Sequence, residues 1–460
     1  MNEDESVVGA PSKSRFAVAW STARAIVAMA SLAFLGLATA RAEDWPQWRG
    51  AERDGQWHEQ GALTRFPAGG PPVIWKVPVG PGYSGPTVSR GRAFLTDRVN
   101  NPQQERVLCF DEATGKLLWK DEYDAIYTIS YRAGPRACVT VDGDVCFSLG
   151  AMGRLRCLDV ADGRLIWDRD LDQDYQVRAS KRMPIWGIAS APLVYRDLVI
   201  VQAAGADGAC YVALEKQTGK EVWRALKDRA SYSAPIMVRQ GDEDVMVGWT
   251  GDSVAGLAPA SGKVLWQHPF PSVKMPIGIA TPVVEGNKLF VTSFYDGSLM
   301  LELDDQRPAV RELWARRGAS EQDTDALQSI ISTPLMMRGH IYGVDSYGEL
   351  RCLKADSGDR VWEDLSATPK ARWSNIHFVR NGETIWMFNE RGELIVGSLD
   401  PQKFTEHSRA KIIEPTKDQL PQRGGVCWAH PAFANLRMFI RNDKELVCVD
   451  LAANRQSVEK

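Results

Sequence analysis

A tryptophan recurs in one local frame along this chain, and its period restricts the fold more than any other feature. Trp119, Trp167, Trp223, Trp266, Trp314 and Trp362 are separated by 48, 56, 43, 48 and 48 residues, the spacing of repeat units that each form a four-stranded sheet. In five of the six a Gly stands four residues before the Trp: Gly115, Gly163, Gly219, Gly262 and Gly358. The frame reads strand, turn, strand, as in RVLCFDEATGKLLWK at 106–120, RLRCLDVADGRLIWD at 154–168 and CYVALEKQTGKEVWR at 210–224. Glycine takes a positive φ in such a turn at little cost, and the polar residue before it hydrogen-bonds the turn. The Trp of the outer strand is expected to bury its large ring against the neighbouring unit.

Extending the frame gives third strands at 106–110, 154–158, 210–214, 253–257, 299–303, 350–353, 394–397 and 446–449, which is eight units. The inner strand of each unit is expected to open at a Pro: Pro86, Pro135, Pro192, Pro235, Pro282, Pro334 and Pro431. One unit, at 372–410, keeps the apolar alternation but lacks the inner-strand Pro and the outer-strand Trp of the frame. The eighth copy ends before an outer strand, whereas VIWKVPV at 73–79 resembles an outer strand with nothing before it. The predicted fold is therefore all-β: an eight-bladed β-propeller of four-stranded antiparallel blades, closed when the N-terminal strand 73–79 joins the C-terminal blade. Closure removes two open sheet edges.

Before the blades, Lys13, Arg15 and Arg24 precede an apolar stretch at 25–38 and then Ala40-Arg41-Ala42. This is the charged, apolar, small-residue order of a secretory signal, with cleavage expected after Ala42. A membrane anchor is the alternative, but the apolar run falls short of the roughly 20 residues that span a bilayer. The expected division is a signal peptide at 1–42, a lead-in at 43–72, the propeller at 73–452 and a tail at 453–460. The product is an exported protein, periplasmic or extracellular, with no membrane span after cleavage, and a monomer. A formal charge of −3 gives no basic field of the kind that binds nucleic acid.

Eight Cys in an exported protein ordinarily suggest disulfides. Cys109, Cys157, Cys352 and Cys448, however, occupy the same third-strand position in separate blades, too far apart to bridge. Cys138 and Cys146 flank an Asp142-Gly143 turn and fall diagonally in register, so a bridge and two free thiols are both compatible with the sequence. His58, His268, His340, His377, His407 and His430 show no zinc-ligand spacing.

The Trp-Gly frame at 73–452 resembles the pyrroloquinoline-quinone (PQQ) repeat family, whose eight-bladed propellers include quinoprotein alcohol dehydrogenases and the outer-membrane assembly lipoprotein BamB. DWPQWRGAERDG at 44–55 resembles the opening of many secreted proteins with this propeller. For the alcohol-oxidising class the resemblance implies a calcium ion held against the quinone by carboxylate and amide side chains, an Asp base and often a disulfide between adjacent Cys. No two Cys are adjacent here, and no local motif gathers calcium ligands.

In propellers the inner-strand entrances converge on the central channel. The candidate ligand-binding residues are therefore Tyr83, Tyr131, Arg132, Arg136, Trp186, Tyr232, Trp373, Trp428 and His430. Aromatic faces stack flat rings or sugars, and Arg orients anions. Asp97, Asp252, Asp296 and Asp345 end second strands and are candidate carboxylates for a groove, although Asp at strand ends is ordinary turn chemistry. Arg98, Lys181 and Arg182 are assigned to exposed loops. The expected function is a non-catalytic binding or scaffold protein for a protein, peptide or carbohydrate ligand, with no cofactor. The alternative is a PQQ- and calcium-dependent alcohol or sugar dehydrogenase, with Arg136 on a quinone carboxylate and Trp186 or Trp428 stacking the ring.

Overall fold

The period of the Trp frame becomes a ring. In the computed structural model, which describes residues 42–453, eight four-stranded antiparallel sheets follow one another. Blades 1 to 7 are built from consecutive strands and span residues 87–124, 140–170, 193–225, 236–269, 283–316, 335–364 and 376–411. Blade 8 takes Ala432–Ala434, Arg437–Arg441 and Glu445–Asp450 from the C-terminal end and its outer strand, Val73–Pro78, from the N-terminal end. Trp75 pairs with Cys448 and Val77 with Leu446, so the closure expected from the sequence is the one observed. The predicted signal peptide except Ala42, and the tail except Ala453, lie outside the described residues. Among the described residues no helix is long and apolar enough to cross a membrane.

The inner-strand Pro stands one residue before the strand at Pro86, Pro192, Pro235, Pro282, Pro334 and Pro431, but Pro135 departs from the frame. Blade 2 begins its inner strand at Thr140, and the Pro135 carbonyl instead accepts the Tyr83 N–H at 2.9 Å. All eight Cys are buried and free. Val141, not Cys138, faces Cys146 across the hairpin, which leaves Cys138 ahead of the ladder.

The Trp-Gly frame acts between blades, not within one. Each indole lies on the turn of the next blade: Trp75 on Gly115, Trp119 on Gly163, Trp167 on Gly219, Trp223 on Gly262 and Trp314 on Gly358. Four of these indole N–H groups donate to the carbonyls of Glu112, Val160, Pro259 and Ala355, each three residues before the Gly, at 2.9 to 3.0 Å. The Trp167 N–H does the same at Lys216, at 2.9 Å. A Cβ on Gly163 would stand 2.5 Å from the Trp119 ring, and its φ is +75°, so space and backbone both require glycine. Blade 5 lacks that Gly. Trp266 instead lies over Gly256 of its own sheet and donates to Gln240 Oε1 at 2.8 Å, while Gln240 Nε2 donates onward to the Ala309 carbonyl of the blade 5 turn at 2.7 Å.

The lead-in is structural. Trp45 and Val88 exchange backbone hydrogen bonds at 2.8 and 2.9 Å, Val141 N–H reaches the Pro46 carbonyl at 2.8 Å, and Arg380 exchanges with Gly55 and Trp57 at 2.8 Å. Trp48 Nε1 donates to Thr281 Oγ1 at 2.8 Å, and the Arg53 guanidinium donates to the Pro235 carbonyl at 3.0 Å and to that of Pro192. Residues 45–57 thus bond the inner edges of blades 1, 2, 3, 4, 5 and 7, and they satisfy strand edges that would otherwise face the channel.

Candidate functional site

Each blade's outer strand must return to the next blade's inner strand, and the eight connections so formed surround one end of the channel. All eight contribute to one cavity of about 140 Å³. Tyr83, Tyr131, Arg136, Trp186, Tyr232, Trp373, Trp428 and His430 line it, which brings together eight of the nine residues singled out in the sequence. Arg132 is the exception: it is exposed and off the cavity. Tyr131 has a φ of +57°, in the left-handed region, and at that bend Tyr131 turns to the cavity while Arg132 turns to solvent. Trp48, Cys138, Ile279, Ile330, Ile331 and His377 also line it and were not foreseen. Trp48 stands in the DWPQWRG stretch, which was quoted only for its resemblance. His377 sits in the one blade that lacks both the inner-strand Pro and the outer-strand Trp of the frame, so the repeat gave it no position.

Tyr131 is the hub of the wall. Its ring meets Trp186 edge to face at 5.4 Å and Trp373 at 5.8 Å, and it lies tilted to Trp428 at 6.2 Å. Trp186 stacks on Tyr232 at 5.3 Å, and its backbone N–H donates to the Tyr232 hydroxyl at 3.0 Å. The Trp373 indole N–H is buried without a hydrogen-bond partner, a donor that a ligand acceptor would satisfy, whereas the Trp428 side chain interacts with the Glu390 carboxylate.

Arg136 lies over the Tyr83 ring at 4.8 Å. It donates to the carbonyls of Gly134 and Tyr131, each at 2.6 Å, and of Ser130 at 3.2 Å. All three acceptors are neutral, and burial is the largest influence on the group, pulling its pKa below the usual guanidinium value.

The histidines are held neutral. His377 Nε2 donates to the Trp428 carbonyl at 2.8 Å, and His430 Nδ1 donates to that of Pro431 at 2.6 Å. Their rings are 4.9 Å apart. Burial, with the charge of Arg49 nearby, takes His377 down to about 4, and burial, His377 and Arg49 take His430 well below the ordinary imidazole value. Behind this wall, burial lowers Arg49 to about 10 and Arg53 to about 9, so both stay cationic at neutral pH.

The strand-end carboxylates are used in clamping the loops and do not line the cavity. Asp97 takes Arg106 in a two-point pair at 2.8 and 2.6 Å and also the Gly80 N–H at 2.6 Å. Asp252 pairs with Arg229 at 2.6 Å, Asp345 with Arg351 at 2.9 Å, and Asp296 accepts the Val273 N–H at 2.8 Å. Arg98, expected in a solvated loop, is buried at 3% exposure and donates to the Tyr127 carbonyl at 2.9 Å. Lys181 is exposed, and Arg182 donates to the Asp228 carbonyl at 3.1 Å.

A calcium-held quinone does not fit this lining. Calcium takes six to eight oxygen ligands, largely carboxylates, amides and carbonyls, and the cavity wall carries no Asp, Glu, Asn or Gln. Among the described residues no group of three or more His, Cys, Asp or Glu is placed to hold a metal. The volume corresponds to one six-membered ring, since a cavity of about 150 Å³ takes benzene.

Residues 103–364 match the model of the family described as outer membrane protein assembly factor BamB. A search of curated protein sequences finds no match. Among solved structures, BamB from Moraxella catarrhalis is similar with a TM-score of 0.54 at 15% identity, over 82% of this chain and 97% of that one. The quinohemoprotein alcohol dehydrogenase from Comamonas testosteroni gives 0.57 at 12% identity, over 94% and 85%. The computationally designed Ika8 protein gives 0.52 at 11% identity, over 83% and 100%. Identities this low establish a shared fold and nothing about chemistry.

Proposed function

The chain belongs to the family described as outer membrane protein assembly factor BamB, and from that premise we propose that it is an exported, non-catalytic binding protein whose channel mouth receives one ring of a protein, peptide or carbohydrate ligand. The observation that carries this reading is the convergence of all eight inter-blade loops on a single ring-sized, aromatic-walled cavity without a carboxylate. Stacking and hydrogen bonding are available there. Both histidines give one N–H to a backbone carbonyl and are held neutral, and His430 Nε2, buried without a partner, is left as an acceptor for a donor on the ligand. The match of residues 103–364 to the family described as outer membrane protein assembly factor BamB is compatible with a protein or peptide partner.

The test is a fluorescence titration of the mature protein with glycans and peptides bearing exposed rings, run beside an assay for reduction of an artificial electron acceptor with PQQ and calcium. Saturable quenching that Trp186→Ala removes, with no acceptor reduction, is the expected result. Acceptor reduction that depends on both PQQ and calcium overturns the reading in favour of a quinoprotein dehydrogenase.

A further inference from the structure

Several arginines on or beside the connecting loops pair with carboxylates, whereas Arg182, like Arg136, donates only to backbone carbonyls. Arg106 pairs with Asp97, Arg229 with Asp252, Arg351 with Asp345, Arg372 with Glu321 and Arg423 with Glu390. Arg136, the one arginine that lines the cavity, has only neutral carbonyls as hydrogen-bond acceptors, and no carboxylate lies within ion-pair distance of it among the described residues.

Its surroundings add positive charge. The buried guanidinium of Arg53 donates to the carbonyl of Ala191, itself a wall residue, at 3.4 Å. Arg49, 1% exposed, lies close enough to disfavour protonation of both wall histidines. Arg49 and Arg53 likewise bond neutral oxygens: the carbonyls of Asp54, Pro192 and Pro235, and the Gln47 amide. Three guanidinium groups thus stand at or behind a wall that contains no acid; Glu105 acts on Arg136 and Asp54 on Arg49 from beyond ion-pair distance. Arg136 is half-buried and has no ion-pair partner, and an anion brought to it from outside gains both a Coulombic term and a charge-assisted hydrogen bond. A neutral guest would gain neither.

We infer that the cavity selects an acid: a single six-membered ring carrying a carboxylate, with the ring packed among Trp186, Tyr232 and Trp428 and the carboxylate held by Arg136. The inference rests on the ring-binding reading above and narrows it. The same chemistry has two sources, an acidic pyranose at the end of a glycan and a small aromatic acid, and shape-matched pairs separate them.

The experiment measures fluorescence or calorimetric titration of the mature chain with methyl β-glucuronide against methyl β-glucoside, and with benzoate against benzamide. The acid of at least one pair is expected to bind about tenfold tighter than its neutral partner, the size of one charge-assisted hydrogen bond. The pair that shows the preference identifies the source. Arg136→Gln is expected to abolish the preference while neutral-ring binding persists. Because Arg136 also ties three loop carbonyls, Arg136→Lys is the companion variant: it keeps the charge, and the acid preference is expected to survive in it. Equal binding of acid and neutral rings overturns the inference and leaves ring binding standing. Absence of binding by all four probes overturns both. An acid preference that persists in Arg136→Gln shows that the charge is read elsewhere and also overturns the assignment.

Discussion

At the scale of the residue, the cavity wall couples its own chemistry to the stability of the chain through His377. The imidazole is buried, gives its Nε2 proton to the Trp428 carbonyl and has its pKa drawn down to about 4, whereas an unfolded histidine titrates near ~6.5. Below that value the unfolded chain binds a proton that the folded chain refuses. The contribution of neutral His377 is therefore fully present above about pH 6.5 and is lost as pH falls through about 4. The gap corresponds to an upper bound of about 3 kcal/mol. His377→Gln keeps an N–H donor and cannot titrate, so denaturant unfolding of both proteins from pH 7 to pH 4 is expected to show the wild type losing up to that amount more than the variant. Parallel stability curves would show that the folded imidazole accepts its proton without penalty. His430 was legible as a site residue because it precedes Pro431 in the repeat frame. His377 was not, since its blade has lost the marks by which the frame assigns a position.

At the scale of the element, the turn between third and fourth strands shows what a single repeat can reveal and what it hides. Gly163 announces a turn by itself, because its φ of +75° suits glycine. Its second role needs the preceding blade, whose Trp119 ring occupies the space a side chain would take. Gly143 makes a fair comparison, with φ +60° and nothing within 4 Å of a Cβ. Gly143→Ala is expected to cost about 1 kcal/mol for the left-handed backbone alone. Gly163→Ala is expected to cost a further 1–3 kcal/mol, approximately, for overpacking against the indole. Equal losses in chemical denaturation would mean that the Trp119 ring moves aside freely. The missing Gly in blade 5 was visible in the sequence, but its consequence, Trp266 bonded through Gln240 instead, depends on contacts between sheets that one repeat does not encode. The lead-in was unreadable for a related reason. DWPQWRG has no strand period of its own, and its backbone is held by bonds to the inner edges of the blades. Arg132 was misplaced because one left-handed residue, Tyr131, decides which neighbour faces inward.

At the scale of the whole molecule, closure is the contact that the count of strands made legible: eight third strands, one missing outer strand at the end, and one surplus outer strand at the start. It joins positions far apart in sequence, with Trp75 opposite Cys448 and, in the lead-in, Ala62 bridging Ala452. Chain closure of that length is entropically costly before it is rewarded, so the Val73–Pro78 strand is expected to dock after the consecutive blades have formed. Interactions absent from the transition state act on the unfolding rate alone. Trp75 and Trp167 make the same kind of contact, ring on glycine and N–H to a backbone carbonyl at 2.9 Å, so replacing either with Ala removes comparable equilibrium stability, of order 3 kcal/mol. The two differ in kinetics. The Trp75 indole reaches Glu112 only 37 residues away but also packs on Phe439 across the closure at 5.8 Å, and the strand that holds it pairs with the C-terminal strand, so Trp75→Ala is expected to accelerate unfolding more than it slows refolding. Trp167→Ala joins blades 2 and 3, which are neighbours in sequence, and is expected to divide its loss between slower refolding and faster unfolding. Stopped-flow unfolding and refolding of the two variants in denaturant decides the order of assembly. If Trp75→Ala slows refolding as much as Trp167→Ala does, the termini meet early, and the ring forms around a closed circuit instead of being sealed at the end.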